Sequence, residues 1–184
     1  MRRLIFHTIL AATPILVVAA IFFSLRPVDP AQGIETDLLA VKTESVADFS
    51  HPWGMTMLTS GEILVTERRG RLWRVSADGA KSEIGNLPEV VAVGQGGLLD
   101  IAADPQFMEN RRIFFTYSEP GPGGAGTTLA SATLDGDRLE QLRVLVAMRK
   151  TELRQHFGSR IVFGHDETIF VTTGDRGERD RAQD

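Results

Sequence analysis

Three stretches of the chain share one hydrophobic–polar plan: an apolar run, a polar turn, and a second apolar run that ends in threonine. The first is Gly54–Leu58, a turn over Thr59–Glu62, and Ile63–Thr66. The second is Leu98–Ala103, a longer turn, and Ile113–Thr116. The third is Arg160–Phe163, a turn over Gly164–Glu167, and Ile169–Thr172. Short apolar runs bounded by turn residues read as strands, so each stretch predicts a hairpin. Arg71–Val75 alternates polar and apolar as a half-buried strand does, and Thr127–Leu134 and Leu142–Ala147 read as two further outer strands.

The isoleucines that open the second runs, Ile63, Ile113 and Ile169, lie 50 and 56 residues apart. A period near fifty with several short strands per unit predicts the blades of a β-propeller. Three unrelated hairpins of a sandwich are the alternative. The expected fold class is therefore all-β, a propeller of about two and a half blades that starts near Leu38 and stops at Asp184, just after an inner strand. A blade buries its faces against two neighbours, and a ring closes with roughly four to eight blades. The chain thus reads as part of a longer propeller, or as one that a partner completes.

The N-terminus has a different pattern. Arg2 and Arg3 precede Leu4–Leu25, a stretch without Asp, Glu, Lys or Arg, and Arg26 closes it. Such a run makes a helix roughly 33 Å long, enough to span a bilayer. A basic start before an apolar core reads as an export signal. The core is longer than that of a cleaved signal, and Val18-Ala19-Ala20 leads straight into Ile21-Phe22-Phe23 without a small-x-small site. An uncleaved anchor is favoured over a cleaved signal. In both cases the arginines stay in the cytoplasm and the remainder is exported. The expected organisation is an export signal or membrane anchor over residues 1–26, a linker over 27–37 and propeller over 38–184. The expected location is periplasmic or extracytoplasmic, with residues 4–25 tying the protein to the inner membrane if they are retained.

Composition changes this picture little. The 184 residues are 42% hydrophobic and 24% charged, as in ordinary soluble domains. Eighteen glycines and eight prolines punctuate the short apolar runs. A net charge of −4 argues against a nucleic-acid partner. With no cysteine, disulfide, thiolate and iron–sulfur chemistry are excluded.

Candidate chemistry concentrates between Gln155 and Gly177. His156 sits just before the first strand of the third hairpin and Asp175 just after the second, so the hairpin brings them together at one rim. A carboxylate beside a histidine orients the imidazole and stabilises its charged form, which prepares a general base for an alcohol. A structural His–Asp hydrogen bond at a blade corner is the alternative. Gly94-Gln95-Gly96-Gly97 opens the second blade, and Gln95 is expected at the rim position equivalent to His156, with an amide able to bond a polar ligand such as a sugar. An ordinary glycine-rich loop would look the same. Trp53 is expected in blade packing, His165 in a solvated turn, and the mixed-charge stretches Glu67-Arg68-Arg69 and Arg176–Arg181 on the surface.

Taken together, His51-Pro52-Trp53-Gly54, Thr66-Glu67-Arg68, Gly70-Arg71-Leu72, Gly94-Gln95-Gly96-Gly97-Leu98-Leu99-Asp100, Asp104-Pro105-Gln106-Phe107, His156-Phe157-Gly158-Ser159-Arg160 and Gly174-Asp175-Arg176-Gly177 resemble the glucose/sorbosone dehydrogenase family, and its aldose sugar dehydrogenases more than its glucose dehydrogenases. The resemblance implies a six-bladed propeller holding pyrroloquinoline quinone (PQQ) and calcium at one rim. It implies that His156 is the catalytic base and Asp175 its acidic partner. It implies a sugar pocket lined by Gln95 and by Gln155, which stands where the glucose dehydrogenases carry a sugar-binding aspartate and so implies a broader aldose preference. The reaction would turn an aldose into a lactone and pass electrons to an external acceptor. A homodimer is also open. The family's calcium ligands and its arginine and lysine contacts to PQQ fall beyond Asp184, so no cofactor or metal ligand is assigned, and the chain alone is expected to be inactive. A binding-only propeller that recognises a sugar or a protein is the competing expectation.

Overall fold

The computed structural model describes residues 34–35, 40–41 and 43–183. The expected export segment, residues 1–26, lies outside the described residues; among those described, no helix is long and apolar enough to cross a membrane. The chain divides into two compact units, Met1–Ser45 and Val46–Asp184. In the first, β1 (Ile34–Glu35) pairs antiparallel with β2 (Ala40–Val41).

The second unit is a series of antiparallel meanders. Strands β3 (Pro52–Met57), β4 (Ile63–Glu67), β5 (Arg71–Val75) and β6 (Lys81–Ile84) form one four-stranded sheet in sequence order. Strands β7 (Leu98–Ala103), β8 (Arg112–Gly121), β9 (Gly124–Asp135) and β10 (Arg138–Ala147) form the second. Strands β11 (Gly158–Phe163) and β12 (Ile169–Thr173) form a two-stranded third, followed by a 3-10 turn over Arg179–Gln183. These are two blades and the inner hairpin of a third, as the fifty-residue period predicts. Strand β6 was not legible in the sequence: of Lys81-Ser82-Glu83-Ile84 only Ile84 is buried. A four-residue helix, α1 (Phe107–Asn110), occupies the longer turn of the second hairpin.

The core lies between blades. Leu58, in the turn after β3, and Leu64, Leu72 and Ile84 of the first sheet meet Leu98, Ile101, Ile113, Phe115 and Tyr117 of the second. Each such side chain, fully buried, stabilises the fold by about 1.5–3 kcal/mol. Between the second and third sheets, Phe114, Leu129 and Ile161 cluster with Phe163, Ile169 and Val171. Phe114 and Phe163 meet edge-on at 5.5 Å.

The three inner hairpins carry the same defect at the same place. In each, pairing slips between Pro52 and Met55, Leu98 and Ile101, or Gly158 and Ile161, so two inner-strand residues oppose one threonine: Thr66, Thr116 or Thr172. This is a β-bulge. The threonine hydroxyl accepts the N–H of the second bulged residue, from Gly54 at 2.9 Å, Asp100 at 3.0 Å and Arg160 at 2.9 Å. Thr66 and Thr116 also donate to carbonyls of the following blade, Leu99 at 2.6 Å and Ser159 at 3.2 Å. The threonines that mark the repeat thus tie the inner strands together. Asp100 adds a second tie between β7 and β11: its buried carboxylate accepts from Ile161 N–H at 2.7 Å and from Arg160 at 2.9 Å. Gly54 is required because a Cβ there would stand 2.9 Å from both Leu99 O and Asp100 Oδ1.

Candidate functional site

The bulge fixes where the rim residues fall. Counted back from it, Gln95 corresponds to Gln155, and Gly96 to His156. Gln95 therefore stands one residue from the equivalence expected of it. The displacement places it against His156: Gln95 Oε1 accepts the His156 N–H at 2.8 Å, and Gln95 N–H donates to Arg154 O at 2.8 Å. With its carbonyl engaged, the exposed Gln95 side chain has its NH2 group to offer a ligand.

His156 and Asp175 are brought together as the hairpin predicts. Gly158 pairs with Thr173, which sets the residues just outside β11 and β12 side by side. His156 Nδ1 and Asp175 Oδ1 are 2.6 Å apart. Between them lies Gly174, where a Cβ would be 2.0 Å from His156 O, so only glycine lets the two segments approach. His156 has φ +52, the left-handed region that side chains seldom adopt. Such strain persists only where the surroundings enforce it.

The electrostatics give this pair a direction. The Asp175 carboxylate is held below the usual carboxylate range, first by the Gly177 N–H at 2.7 Å, then by His156, with a further contribution from Arg179. Ionised, it can only accept, so Nδ1 carries the proton and donates. In the neutral imidazole Nε2 is then the acceptor, and the His156 side chain is 51% exposed. An oriented, accessible Nε2 beside a fixed carboxylate is an arrangement that accepts a proton from a hydroxyl.

Gln155 completes the group. It is exposed, and its amide lies against Gly177, where a Cβ would stand 2.1 Å from Gln155 Nε2. Gln95, Gln155, His156 and Asp175 thus occupy one stretch of rim. Trp53 packs, as expected, against Leu99, Ala125 and Phe157, and His165 is exposed.

Two charged stretches are solvated only in part: Arg69 and residues 177–180 are exposed as their sequence suggests, but Glu67 and Arg176 are not. Glu67 is buried, accepts Ser50 N–H at 2.6 Å and lies 3.9 Å from Arg71. Arg68 reaches across to Gly96 O at 3.0 Å and Ala92 O at 3.4 Å. Arg176 is also buried, with its guanidinium on backbone carbonyls and 3.7 Å from the centre of the Phe157 ring. Mixed-charge composition does not reveal this, because the partners are main-chain groups of other segments: the Ser50 N–H for Glu67, and carbonyls for Arg68 and Arg176.

The residues present fit the base side of a PQQ site: an oriented, exposed imidazole with hydrogen-bonding side chains around it. Among the described residues no three His, Asp or Glu side chains gather to hold a metal ion, so calcium is assigned no ligand.

The chain is similar to known proteins in sequence and in fold. The family model for glucose/sorbosone dehydrogenases matches residues 49–184. An uncharacterised protein of Synechocystis is 39% identical over 167 residues, which cover 84% of this chain and 40% of that protein. The aldose sugar dehydrogenase YliI of Escherichia coli is 36% identical over 152 residues, covering 78% of this chain and 41% of the relative. The PQQ-bound structure of an aldose sugar dehydrogenase from Streptomyces coelicolor is 28% identical with a TM-score of 0.69, over 85% of this chain and 46% of that one. The chain spans about two fifths of the length of the curated relatives it matches.

Proposed function

The chain belongs to the glucose/sorbosone dehydrogenase family, and from that premise we propose that the whole protein oxidises aldose sugars at C1 to lactones, with His156 as general base. The observation that carries the proposal is the 2.6 Å bond from His156 Nδ1 to the depressed Asp175 carboxylate, which leaves Nε2 to receive the proton of the anomeric hydroxyl. PQQ, when bound, supplies the acceptor for the hydride that leaves C1. Asp175 keeps the imidazole in the productive tautomer and stabilises the imidazolium formed by proton transfer. Gln95 offers its amide N–H groups to a sugar hydroxyl while His156 N–H holds its carbonyl. Gln155, neutral where an aspartate would bind a sugar hydroxyl as a charged acceptor, supports acceptance of aldoses other than glucose.

Further parts of the proposal rest on the sequence. Residues 4–25 support export, as a signal or an inner-membrane anchor, and oxidation outside the cytoplasm with electrons passed to an external acceptor. Calcium and homodimerisation are proposed for the full-length protein. Because the chain spans about two fifths of the length of the relatives it matches, turnover is expected of the full-length protein and not of this segment alone.

The test is sugar-dependent dye reduction by the full-length protein with PQQ, calcium and a panel of aldoses. Replacing His156 by asparagine is expected to lower kcat by about 10²–10⁴-fold. Wild-type turnover in H156N would remove His156 from the mechanism. A protein that binds aldoses yet reduces no dye would instead be a binding-only propeller.

A further inference from the structure

Segment 151–157 crosses from the second blade to the third and carries both Gln155 and His156. Its backbone is fastened from the second blade by five hydrogen bonds, one of them the His156 N–H to Gln95 Oε1 described above. Ala125 and Thr151 exchange N–H···O bonds of 3.0 and 3.1 Å, Gln95 N–H donates to Arg154 O, and the Thr127 hydroxyl donates to Phe157 O at 2.8 Å. From its own blade it is fastened by Arg176. The Nε of Arg176 donates to Gln155 O at 2.9 Å, one terminal nitrogen donates to Leu153 O, and the other reaches Ala125 O of the second blade at 3.1 Å. The guanidinium plane covers the Phe157 ring, 3.7 Å from its centre. Only a planar fork with donors on all three nitrogens can meet three carbonyls and a ring face at once; a lysine ammonium cannot.

Arg176 directly follows Asp175. Two consecutive residues therefore fix the base twice: Asp175 holds the imidazole, and Arg176 holds the backbone that bears it. We propose that Arg176 is a positioning residue for His156, keeping segment 151–157 in register with Asp175 so that Nε2 faces the sugar. This rests on His156 being the base.

The test uses the full-length, PQQ-loaded protein carrying R176K, with R176M as a second variant. Two readouts are taken: aldose kinetics, and hydrogen exchange of the peptide spanning 151–157 against one from β9. R176K is expected to lower kcat by about 10–100-fold, as small misplacements of a reacting group do, with KM changed less than about threefold. Exchange should rise in 151–157 and stay at the wild-type level in β9. In a D175N background the same substitution should cost less than about threefold, because both residues act through one imidazole. If R176K keeps wild-type kcat, or if exchange rises equally in both peptides and kcat falls only with the folded fraction, the residue is a general structural one and the proposal fails. If instead H156N retains turnover, the base assignment fails by itself, and the exchange comparison still decides whether Arg176 anchors the segment. Should R176M not fold, R176K alone carries both readouts.

Discussion

The Thr66 hydroxyl donates to the Leu99 carbonyl across the blade boundary at 2.6 Å while accepting the Gly54 N–H of its own blade at 2.9 Å. Thr66 is fully buried, so T66V leaves a carbonyl and an N–H without a partner at nearly constant volume. The expected loss is about 1–3 kcal/mol in chemical denaturation of the folded protein, with T66S recovering much of it. T116V, at the equivalent position, should behave alike. Wild-type stability in both valine variants would show that the hydroxyl tie is dispensable.

Asp175 makes acid sensitivity predictable. Its carboxyl is depressed by Gly177 N–H, His156 and Arg179. A depressed carboxyl contributes stability above its unfolded value and loses it as pH falls through the folded one. The stability gap between wild type and D175N should therefore be complete at neutral pH and close below about pH 4, as read by denaturation at a series of pH values. A gap that persists unchanged in acid would assign the effect to shape and not to charge.

Gly174 separates the base from its carboxylate without room for a methyl group, since a Cβ would stand 2.0 Å from His156 O. G174A must push the two segments apart. Its kcat is expected to fall by about 10²-fold, on the scale of a 1 Å misplacement. G85A, where the nearest atom to a Cβ is 3.9 Å away, should leave kcat unchanged. Equal activity in the two variants would separate the glycine from the site.

Tyr117, the one tyrosine of the sequence, is pushed up to about 12 by burial, then by the charge of Glu119 and the hydrogen bond to it. A raised value stabilises the fold below the unfolded value of 10.0, and that stability is lost as pH rises through about 12. Ultraviolet titration of the 184-residue chain should show tyrosinate forming only as the protein unfolds in alkali. Ionisation near the unfolded value with structure intact would show that Tyr117 is solvated.

The sequence by itself determined the blades. Apolar runs bounded by turn residues placed β3, β4, β7, β11 and β12, because burial against a neighbouring sheet requires that pattern whatever the partner is. The threonine endings marked the repeat, and the hairpin carrying His156 and Asp175 fixed their approach, since antiparallel pairing sets the outer ends of two strands together. Strand β6 escaped because an outer strand is wet on both sides and keeps only Ile84 as a hydrophobic signal. What each threonine bonds to, the contact of Gln95 with His156 N–H, and the burial of Glu67 and Arg176 were decided by tertiary structure alone. Their partners are backbone atoms far away in sequence, and a backbone carbonyl has no residue identity to read. A charged side chain is spelled the same way whether water or three carbonyls surround it, so only the approach of two blades turned Arg176 from a surface charge into an anchor.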